Sequence, residues 1–341
     1  MVSKYATDQP QGFTNRIERV AVVGAGGSIG KHLTEALLKT GQHIITAIAR
    51  PNSTTKLPES LNVVQIDYSG EDDTALVEAL QGQQALIITM SVTAPRGTIN
   101  KIVRAAAKAG VTYVLPNWFG LDGANNSLSN DSMLSTNRDS ILADFSGALE
   151  STCYISLVCN FWYEFSLGGG PDRFGFDFKS RSFIQFDEHD VVLNTTTWPQ
   201  CGRAIASLLS LKELPNDESD TSPTLSQFAN SSVYISSFRL SQRDMWESVK
   251  RVTGTDDSDW NITHESVIQR WRESRAAVEK GDFSAFPRML YSRIFFPTAD
   301  GDYQSRRELH NDLLGLPVED LDEFTAIAIR MGENDEVVKA Y

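Results

Sequence analysis

An α/β fold with a doubly wound parallel sheet, followed by a smaller and less regular C-terminal lobe, is predicted by three observations. Short apolar segments alternate with amphipathic helical patterns over about a hundred residues. The first apolar segment, 17–23, is rich in valine and alternates poorly, which is typical of a parallel strand buried on both faces. This segment ends at a cluster of glycines, where a helical pattern begins.

The predicted elements follow in a regular order. The apolar segments predict strands over 17–23, 43–49, 61–66, 85–90, 111–115 and 152–159. The periodic segments between them predict helices over 28–39, 72–81, 98–109 and 132–145, of which the first ends at Gly41 and the third at Gly110. Further along, the pattern predicts a hairpin of 182–186 and 191–194, a helix over 198–211, a strand over 233–238, a helix from the cap Ser241 to 252, and helical segments within 264–296 and 311–331.

This order divides the chain into three regions. Residues 1–15 are polar and contain Pro10 and Gly12, so we expect a loose arm. Residues 16–165 form the sheet domain, and residues 166–341 form the lobe, some elements of which are expected to pack back on the sheet.

Composition excludes several classes of protein. The chain has 341 residues and a formal net charge of −13, so nonspecific binding to nucleic acid or to an anionic membrane is not expected. No apolar run approaches the ~18 residues that span a bilayer, and the N-terminal residues lack the apolar core of a signal peptide, so a cytoplasmic protein is expected. The three cysteines have no CxxC spacing, and the histidines have no paired ligand spacing, so we expect neither disulfides nor a metal.

The glycine cluster predicts a dinucleotide site in a Rossmann-like domain. A pyrophosphate needs a tight turn, close approach of the backbone, and close packing of helix on strand. The next helix directs its free N–H groups at that phosphate. The residues that we expect to contact it are Gly24, Gly26, Gly27, Ser28, Ile29 and Gly30.

The end of the second strand predicts a preference for NADP(H). Sites that prefer NAD usually carry an acidic residue about 20 residues beyond the glycines, whereas this strand ends in Arg50, followed by Ser53 and Lys56. A guanidinium can stack on adenine and bind a 2′-phosphate. The alternative is an ordinary solvated basic loop.

Residues beyond the carboxyl ends of the other strands complete the predicted cofactor site. Ligands of open parallel sheets bind at this edge. The residues concerned are Asp67, Tyr68, Met90, Ser91, Val92 and Asn117.

Aromatic side chains follow the fifth and sixth strands and predict a pocket for a flat apolar molecule. The alternative is that those of the crossover after the sixth strand are core residues. The aromatic residues are Trp118, Phe119, Phe161, Trp162, Phe165 and Trp198.

No tyrosine is followed by lysine four positions later, so the chain lacks the pair on which ordinary short-chain dehydrogenases depend. The segments GAGGSIG, Ala49-Arg50-Pro51, YVLPNWFGLD and LLGLP resemble the NmrA-like and isoflavone reductase-like branch of atypical short-chain dehydrogenases. The similarity covers most of the chain and is greatest to fungal-type members with a Y/F-G-x-D loop, here Phe119, Gly120 and Asp122.

The resemblance implies an NADPH-binding Rossmann domain, a substrate lobe, and reduction of aromatic or secondary-metabolite substrates at a double bond, carbonyl or benzylic ether. Many of these reductases use a lysine on the helix after the loop, where this chain has Asn137 or Arg138. Arg138 could orient an anion but stays protonated. The candidate proton donors are therefore Asp122, Tyr163 and His189.

Three functional hypotheses follow. The first is an NADPH-dependent reductase of a flat, largely apolar small molecule. The second is a regulator that binds NADP(H) and reports it to a protein partner, which the missing lysine favours. The third is a non-redox enzyme of the same fold that performs an isomerisation, cyclisation or elimination.

Overall fold

A large parallel sheet and two small sheets form the frame of the protein, for which a computed structural model describes residues 4–68, 70, 72–91, 94–95, 97–145 and 151–337. The strands are β1 (Arg19–Val23), β2 (Ile44–Ala49), β3 (Asn62–Gln65), β4 (Ala85–Ile88), β5 (Tyr113–Pro116), β6 (Phe119–Gly120), β7 (Cys153–Val158), β8 (Phe161–Trp162), β9 (Phe176–Asp177), β10 (Ser182–Phe186), β11 (Val192–Thr196), β12 (Ser231–Tyr234), β13 (Phe238–Ser241) and β14 (Asn261–Glu265). The helices are α1 (Ser28–Thr40), α2 (Thr74–Leu80), α3 (Thr98–Lys108), α4 (Asn126–Asp131), α5 (Ser135–Ala143), α6 (Tyr163–Leu167), α7 (Trp198–Leu209), α8 (Gln242–Thr253), α9 (Val267–Glu279), α10 (Phe286–Ile294) and α11 (Leu321–Glu333).

The large sheet is parallel throughout its described strands. Its order is β12-β7-β5-β4-β1-β2-β3, and β6 pairs with β7 beside β5. The strand order reverses between β1 and β4, which is the point where open α/β sheets bind ligands beyond the carboxyl ends of their strands. The predicted doubly wound sheet is confirmed.

Both faces of the large sheet are covered by helices because its strands are apolar on both sides. On β1, Val20 and Val22 face the layer of α1 and α7, whereas Ala21 and Val23 face the layer of α2 and α3. All four side chains are fully buried. Burial of each valine contributes roughly 1.5–3 kcal/mol, so a polar substitution in β1 would destabilise the centre of the domain.

Two of the covering elements come from the range assigned to the lobe. Helix α7 packs along α1, where Gly202 approaches the backbone carbonyl of His32 so closely that a Cβ would collide with it. Strand β12 forms the outer edge of the large sheet, in parallel register with β7.

The C-terminal lobe contains two three-stranded sheets, β14-β10-β9 and β13-β11-β8, around a second aromatic-rich core. The hairpin predicted from 182–186 and 191–194 is wrong, although both strands exist. Strand β10 pairs in parallel with β14, and β11 pairs with β13 and β8. After the turn at Asp187–Asp190 the chain enters the other small sheet, so the two strands never become neighbours.

Three other expectations differ locally from the structure. The helix predicted over 132–145 is the shorter α5, an unpredicted helix α4 precedes it, and Met133 between them has the left-handed φ of 56°. The strand predicted over 233–238 is divided between β12 and β13, which lie in different sheets. The N-terminal arm is hydrogen-bonded to the loop after α7, through Ala6 N–H to the Pro215 carbonyl at 2.9 Å, rather than loose.

Candidate functional site

The glycine turn after β1 has the close packing that a dinucleotide site requires. Gly24 has a φ of +84°, and a Cβ there would collide with the backbone carbonyl of Thr89 at the end of β4. The Gly27 N–H closes the turn by donating to the Gly24 carbonyl at 2.9 Å. A Cβ on Gly30 would collide with that same carbonyl, so α1 can approach the turn only because glycine occupies this position.

The N-terminus of α1 has the properties of an anion site. The N-cap Gly27 is exposed and provides no side chain to accept from the first-turn N–H groups, so those of Ser28 and its neighbours are available to a phosphate. Ile29 is buried against the core and anchors the helix. A Cβ on Gly26 would strike the Thr55 side chain, so the loop after β2 lies close over the turn.

Basic and aromatic groups meet beyond the ends of β2 and β3. Arg50 is exposed and its carbonyl accepts from the Ser53 N–H at 3.0 Å, which forms a turn, and Lys56 is exposed in the same loop. Asp67 and the half-buried Tyr68 follow β3. Burial raises the pKa of Tyr68, and the positive charge of Arg50 acts in the opposite direction, so the two groups interact electrostatically. Cation and ring together could hold an adenosine 2′-phosphate.

Lys101 of α3 fixes the loop that carries Tyr68. Its ammonium donates to the backbone carbonyls of Tyr68 at 3.3 Å, Asp72 at 3.2 Å, and Gly70. This contact could not be predicted from the sequence, because a lysine on an amphipathic helix gives no signal of the loop that it will contact.

Asn117 joins the ends of β4 and β5. Its side-chain oxygen accepts from the Met90 N–H at 2.9 Å, and its amide donates to the Met90 carbonyl at 3.2 Å. Its φ of 49° is left-handed, a conformation that asparagine tolerates. The amide is therefore used to shape the floor of the site. Ser91 follows at the exposed surface, and Val92 lies outside the described residues.

The loop after β5 contains Trp118 and Phe119, both half-buried, and is fixed by Arg138. The Trp118 indole donates to the Leu121 carbonyl at 2.9 Å. The guanidinium of Arg138, on α5, donates to the Gly123 carbonyl and forms an ion pair with its neighbour Asp139 at 2.7 Å. Arg138 thus orders the loop, and a direct role in turnover stays a prediction.

Asp122 is buried and its oxygens already have partners. They accept from the Tyr234 hydroxyl at 3.0 Å, from the Ala124 N–H at 3.0 Å and from Arg307 at 3.3 Å. Burial and the Asp122 charge raise the pKa of Tyr234 to about 12. This cluster lies at the ends of β7 and β12, and Arg307 also lines a surface groove of about 690 Å³ at the outer edge of the sheet. The structure does not bring Asp122 to the glycine turn.

Phe161 and Tyr163 lie in the core of the lobe. The Phe161 ring stacks on Tyr291 with 4.0 Å between ring centroids. Tyr163 is fully buried, and its hydroxyl is 2.7 Å from the Thr325 hydroxyl. Burial raises the pKa of Tyr163 well above its ordinary value. This placement does not support the predicted role of Tyr163 as a proton donor, and it favours the core alternative for Phe161.

Trp162, Phe165 and Trp198 form one cluster of contacting rings. Trp162 lies 5.9 Å from Trp198 and 5.8 Å from Phe165, and Phe165 lies 5.4 Å from Trp198, all between ring centroids. Trp198 is the first residue of α7 and stacks on His32 of α1 at 5.7 Å. Because His32 lies one turn from the start of α1, the stacking places this ring cluster near the glycine turn, whereas its role as a substrate pocket stays a prediction.

Glu164 is a buried carboxyl group within this cluster that the sequence analysis missed. Its Oε1 accepts from the Trp198 backbone N–H at 2.8 Å, and its residue exposure is 3%. Burial raises its pKa from 4.5 to about 7; Glu319 acts in the same direction and Lys31 opposes it. The available signal was a single acidic residue inside the apolar run FWYEF.

His189 lies at the loop between β10 and β11, with a left-handed φ of 48°. Burial and the Arg243 charge lower its pKa, against the opposing charges of Asp190 and Glu188. The contacts of His189 are with α8, through its carbonyl and the Arg243 N–H at 2.9 Å. The structure therefore does not bring this candidate donor to the other site residues.

Comparison with known proteins agrees with the geometry. Residues 24–144 match a family described as NAD(P)H-binding. The NAD(P)H-binding domain of this chain thus includes the glycine turn, Arg50, Asn117 and Arg138. The prediction of an NAD(P)H-binding domain is confirmed. The chain is 26% identical over 326 residues to the oxidoreductase aprR of Aspergillus flavus, an alignment that covers 92% of this chain and 99% of that protein.

Solved structures show the same fold around this NAD(P)H-binding domain. A crystal structure of isoflavone reductase has a TM-score of 0.67 and 17% identity and covers 91% of this chain and 98% of its own. The quinone oxidoreductase QOR2 of Escherichia coli, solved with NADPH, has a TM-score of 0.60 and 19% identity and covers 90% and 98%. The fold expected from the resemblance to isoflavone reductase-like proteins is confirmed. In the described part of the chain, no helix combines the length and hydropathy needed to span a membrane.

Proposed function

We propose that the protein is an NADPH-dependent reductase of a flat, largely apolar aromatic or secondary-metabolite-like molecule. The observation that carries this proposal is the uncapped N-terminus of α1 above a turn that only glycines can form. The exposed Arg50 beside Tyr68 supports the phosphorylated cofactor over NADH.

Different residues of the site would bind different parts of the cofactor. The N–H groups at Ser28 and its neighbours would bind the pyrophosphate, and Arg50, Ser53 and Lys56 would surround the 2′-phosphate. The Met90–Asn117 clamp would fix the floor towards the nicotinamide end. When bound, NADPH supplies a hydride to an electron-poor carbon.

The aromatic residues near the glycine turn support a planar substrate. Trp162, Phe165 and Trp198 provide ring faces at the same edge as the glycine turn, and Trp118 and Phe119 are half-buried after β5. The names of the similar proteins agree with such a molecule, since one solved relative holds NADP+ and (+)pinoresinol and another is a quinone oxidoreductase.

Stereospecific labelling tests the proposed function. NADPH deuterated on one face or the other of nicotinamide C4 is incubated with the protein and a panel of aromatic enones, quinones and ketones, and the products are analysed by mass spectrometry. We expect deuterium in a product from one face alone. Tight NADPH binding with no label in any product, also with metabolite extracts of the source cell, would contradict the proposal and favour a regulator or a non-redox enzyme.

A further inference from the structure

Three buried polar atoms of the aromatic cluster have no hydrogen-bond partner within the described residues. They are Oε2 of Glu164 and the indole nitrogens Nε1 of Trp162 and Trp198. Other indoles of the chain are satisfied, such as that of Trp271, which donates to the Asp131 carbonyl at 3.2 Å. Burying a polar atom without a partner is unfavourable, so three in one cluster indicate a place built to receive a polar group.

The chemistry of these atoms defines that group. The two indoles can only donate, so their partner must be an acceptor. Oε1 of Glu164 already accepts from the backbone N–H of Trp198, which leaves Oε2 for the incoming group. The rings of Trp162, Phe165 and Trp198 contact one another in the same cluster, which favours an acceptor on a molecule that is otherwise planar and apolar.

Burial raises the pKa of Glu164 to about 7 and so keeps its carboxyl group protonated up to neutral pH, and the surrounding charges have smaller effects. From the loop before α11, Glu319 raises its pKa; from α1, Lys31 lowers it. His32 of α1, which stacks on Trp198, has its pKa lowered by burial to about 4 and is neutral at pH 7. Cys201 of α7 has a pKa raised by burial and remains a thiol. A neutral carboxyl group can donate through Oε2 to the same acceptor.

We propose that Glu164, Trp162 and Trp198 form an anchor for the carbonyl oxygen of a planar ketone, enone or quinone, and that Glu164 provides the proton that this oxygen takes up. This proposal rests on the proposed reductase function. In the balanced reaction the carbonyl carbon gains the hydride from NADPH, the oxygen gains the Glu164 proton, and water reprotonates the carboxylate.

The anchor is tested by binding without turnover. The protein is saturated with NADP+, and the affinities for 1,4-naphthoquinone and for 4-phenyl-3-buten-2-one are measured by isothermal titration calorimetry. Trp162→Phe and Trp198→Phe replace the indole by a smaller aromatic ring and remove one N–H each, so we expect each to weaken binding about three- to tenfold. Trp271→Phe is the matched control on α9 and should bind both probes like the wild type.

The proton is tested by the pH dependence of the same binding between pH 5.5 and 8.5. Wild-type affinity should fall as pH rises through about 7, because the carboxylate no longer donates. In Glu164→Gln the affinity should not change with pH. Glu213→Gln is the control, since burial raises the pKa of Glu213 to about 7 as well. Glu213 lies beyond the C-terminal end of the 12-residue α7, about 18 Å along the helix axis from Trp198.

The outcomes separate this proposal from the proposed function. If neither probe binds, or if the two tryptophan variants bind like Trp271→Phe, the cluster is a packed core and the anchor is refuted. If wild type and Glu164→Gln share one pH profile, Glu164 is not the donor. Either result is compatible with successful deuterium transfer. If no deuterium is transferred although the probes bind as expected, the reductase proposal is refuted and the binding anchor is not.

Discussion

Replacing Glu164 with glutamine should change how the stability of the protein depends on pH. The carboxyl group is 3% exposed, and burial raises its pKa from 4.5 to about 7. Glutamine has nearly the same shape and keeps an oxygen to accept from the backbone N–H of Trp198. The variant therefore removes the titration with little change in packing.

The sign and size of the effect follow from proton linkage. Below pH 4.5 the carboxyl group is protonated in both the folded and the unfolded chain. Between pH 4.5 and about 7 the unfolded chain loses this proton and the folded chain keeps it, so the free energy of unfolding falls as pH rises. Because a tenfold change in proton affinity corresponds to ~1.4 kcal/mol, the loss from this single group amounts to about 3 kcal/mol and levels off above about pH 7.

Urea denaturation of wild type and Glu164→Gln at half-unit steps from pH 4.5 to 8.5 measures this difference directly. The free energy of unfolding of the variant minus that of wild type should rise by about 3 kcal/mol from the lowest to the highest pH. Glu78→Gln, on the exposed face of α2, is the control whose difference from wild type should stay constant. A constant difference for Glu164→Gln as well would show that the carboxyl group is solvated or paired, and would refute the reasoning from burial.

Three further perturbations test other parts of the structure. Arg50→Ala should weaken NADPH binding about ten- to a hundredfold and leave NADH binding nearly unchanged in fluorescence titrations; equal losses would remove Arg50 from the 2′-phosphate site. Gly24→Ala should abolish cofactor binding, because its Cβ collides with the end of β4. Gly82 has a similar φ but open space around it, so Gly82→Ala is the control for backbone strain alone. A larger fall in melting temperature for Gly24→Ala than for Gly82→Ala in thermal melts would measure the effect of the collision. Asp131→Asn weakens one of the two ion pairs of the fully buried Arg293, at 2.7 Å, and leaves the pair with Asp300, so it should cost about 1.5–3 kcal/mol in urea denaturation; a loss under 1 kcal/mol would show that the guanidinium is hydrated.

The sheet domain could be predicted because its signals are local. The glycine turn, the valine-rich β1 and the ends of α1 and α3 depend on residues adjacent in the chain, and the structure has them within a few residues of their predicted bounds. Helix α8 and its capping box at Ser241 belong to the same class. Each of these features is set by backbone conformation or by a single side chain that satisfies a nearby N–H.

The lobe could not be predicted in the same way because its pairing is remote. Strand β10 finds its parallel partner β14 about 80 residues later, and the pattern of 182–194 fits a hairpin equally well. The segment 233–238 has continuous strand character, yet the chain changes sheets at Ile235–Ser237. Periodicity indicates that a segment will be a strand, but it does not say which edge the segment will join.

The same difference between local and remote signals applies to the residues of the site. Residues that act through the backbone, such as Gly24 and Gly30, were found because their spacing carries the meaning. Tyr163 is a candidate proton donor on the sequence but lies in the core of the lobe, because a shift of one residue in the short β8 and α6 decides which side chains are buried. Glu164, its neighbour, was overlooked for the same reason: nothing local shows that its carboxyl group will be buried against α7.

The late arrival of α7 and β12 has a consequence for synthesis on the ribosome. The nucleotide-binding half of the sheet is translated up to β7 at Val158, but α7 and the edge strand β12 follow only by Tyr234. At about 5–20 residues per second, the apolar side of α1 and the open edge of β7 remain uncovered for roughly 4–15 s. A fragment that ends before residue 198 would keep that surface permanently, so the excised cofactor domain should aggregate, and its nascent form is the stage at which a chaperone would be needed.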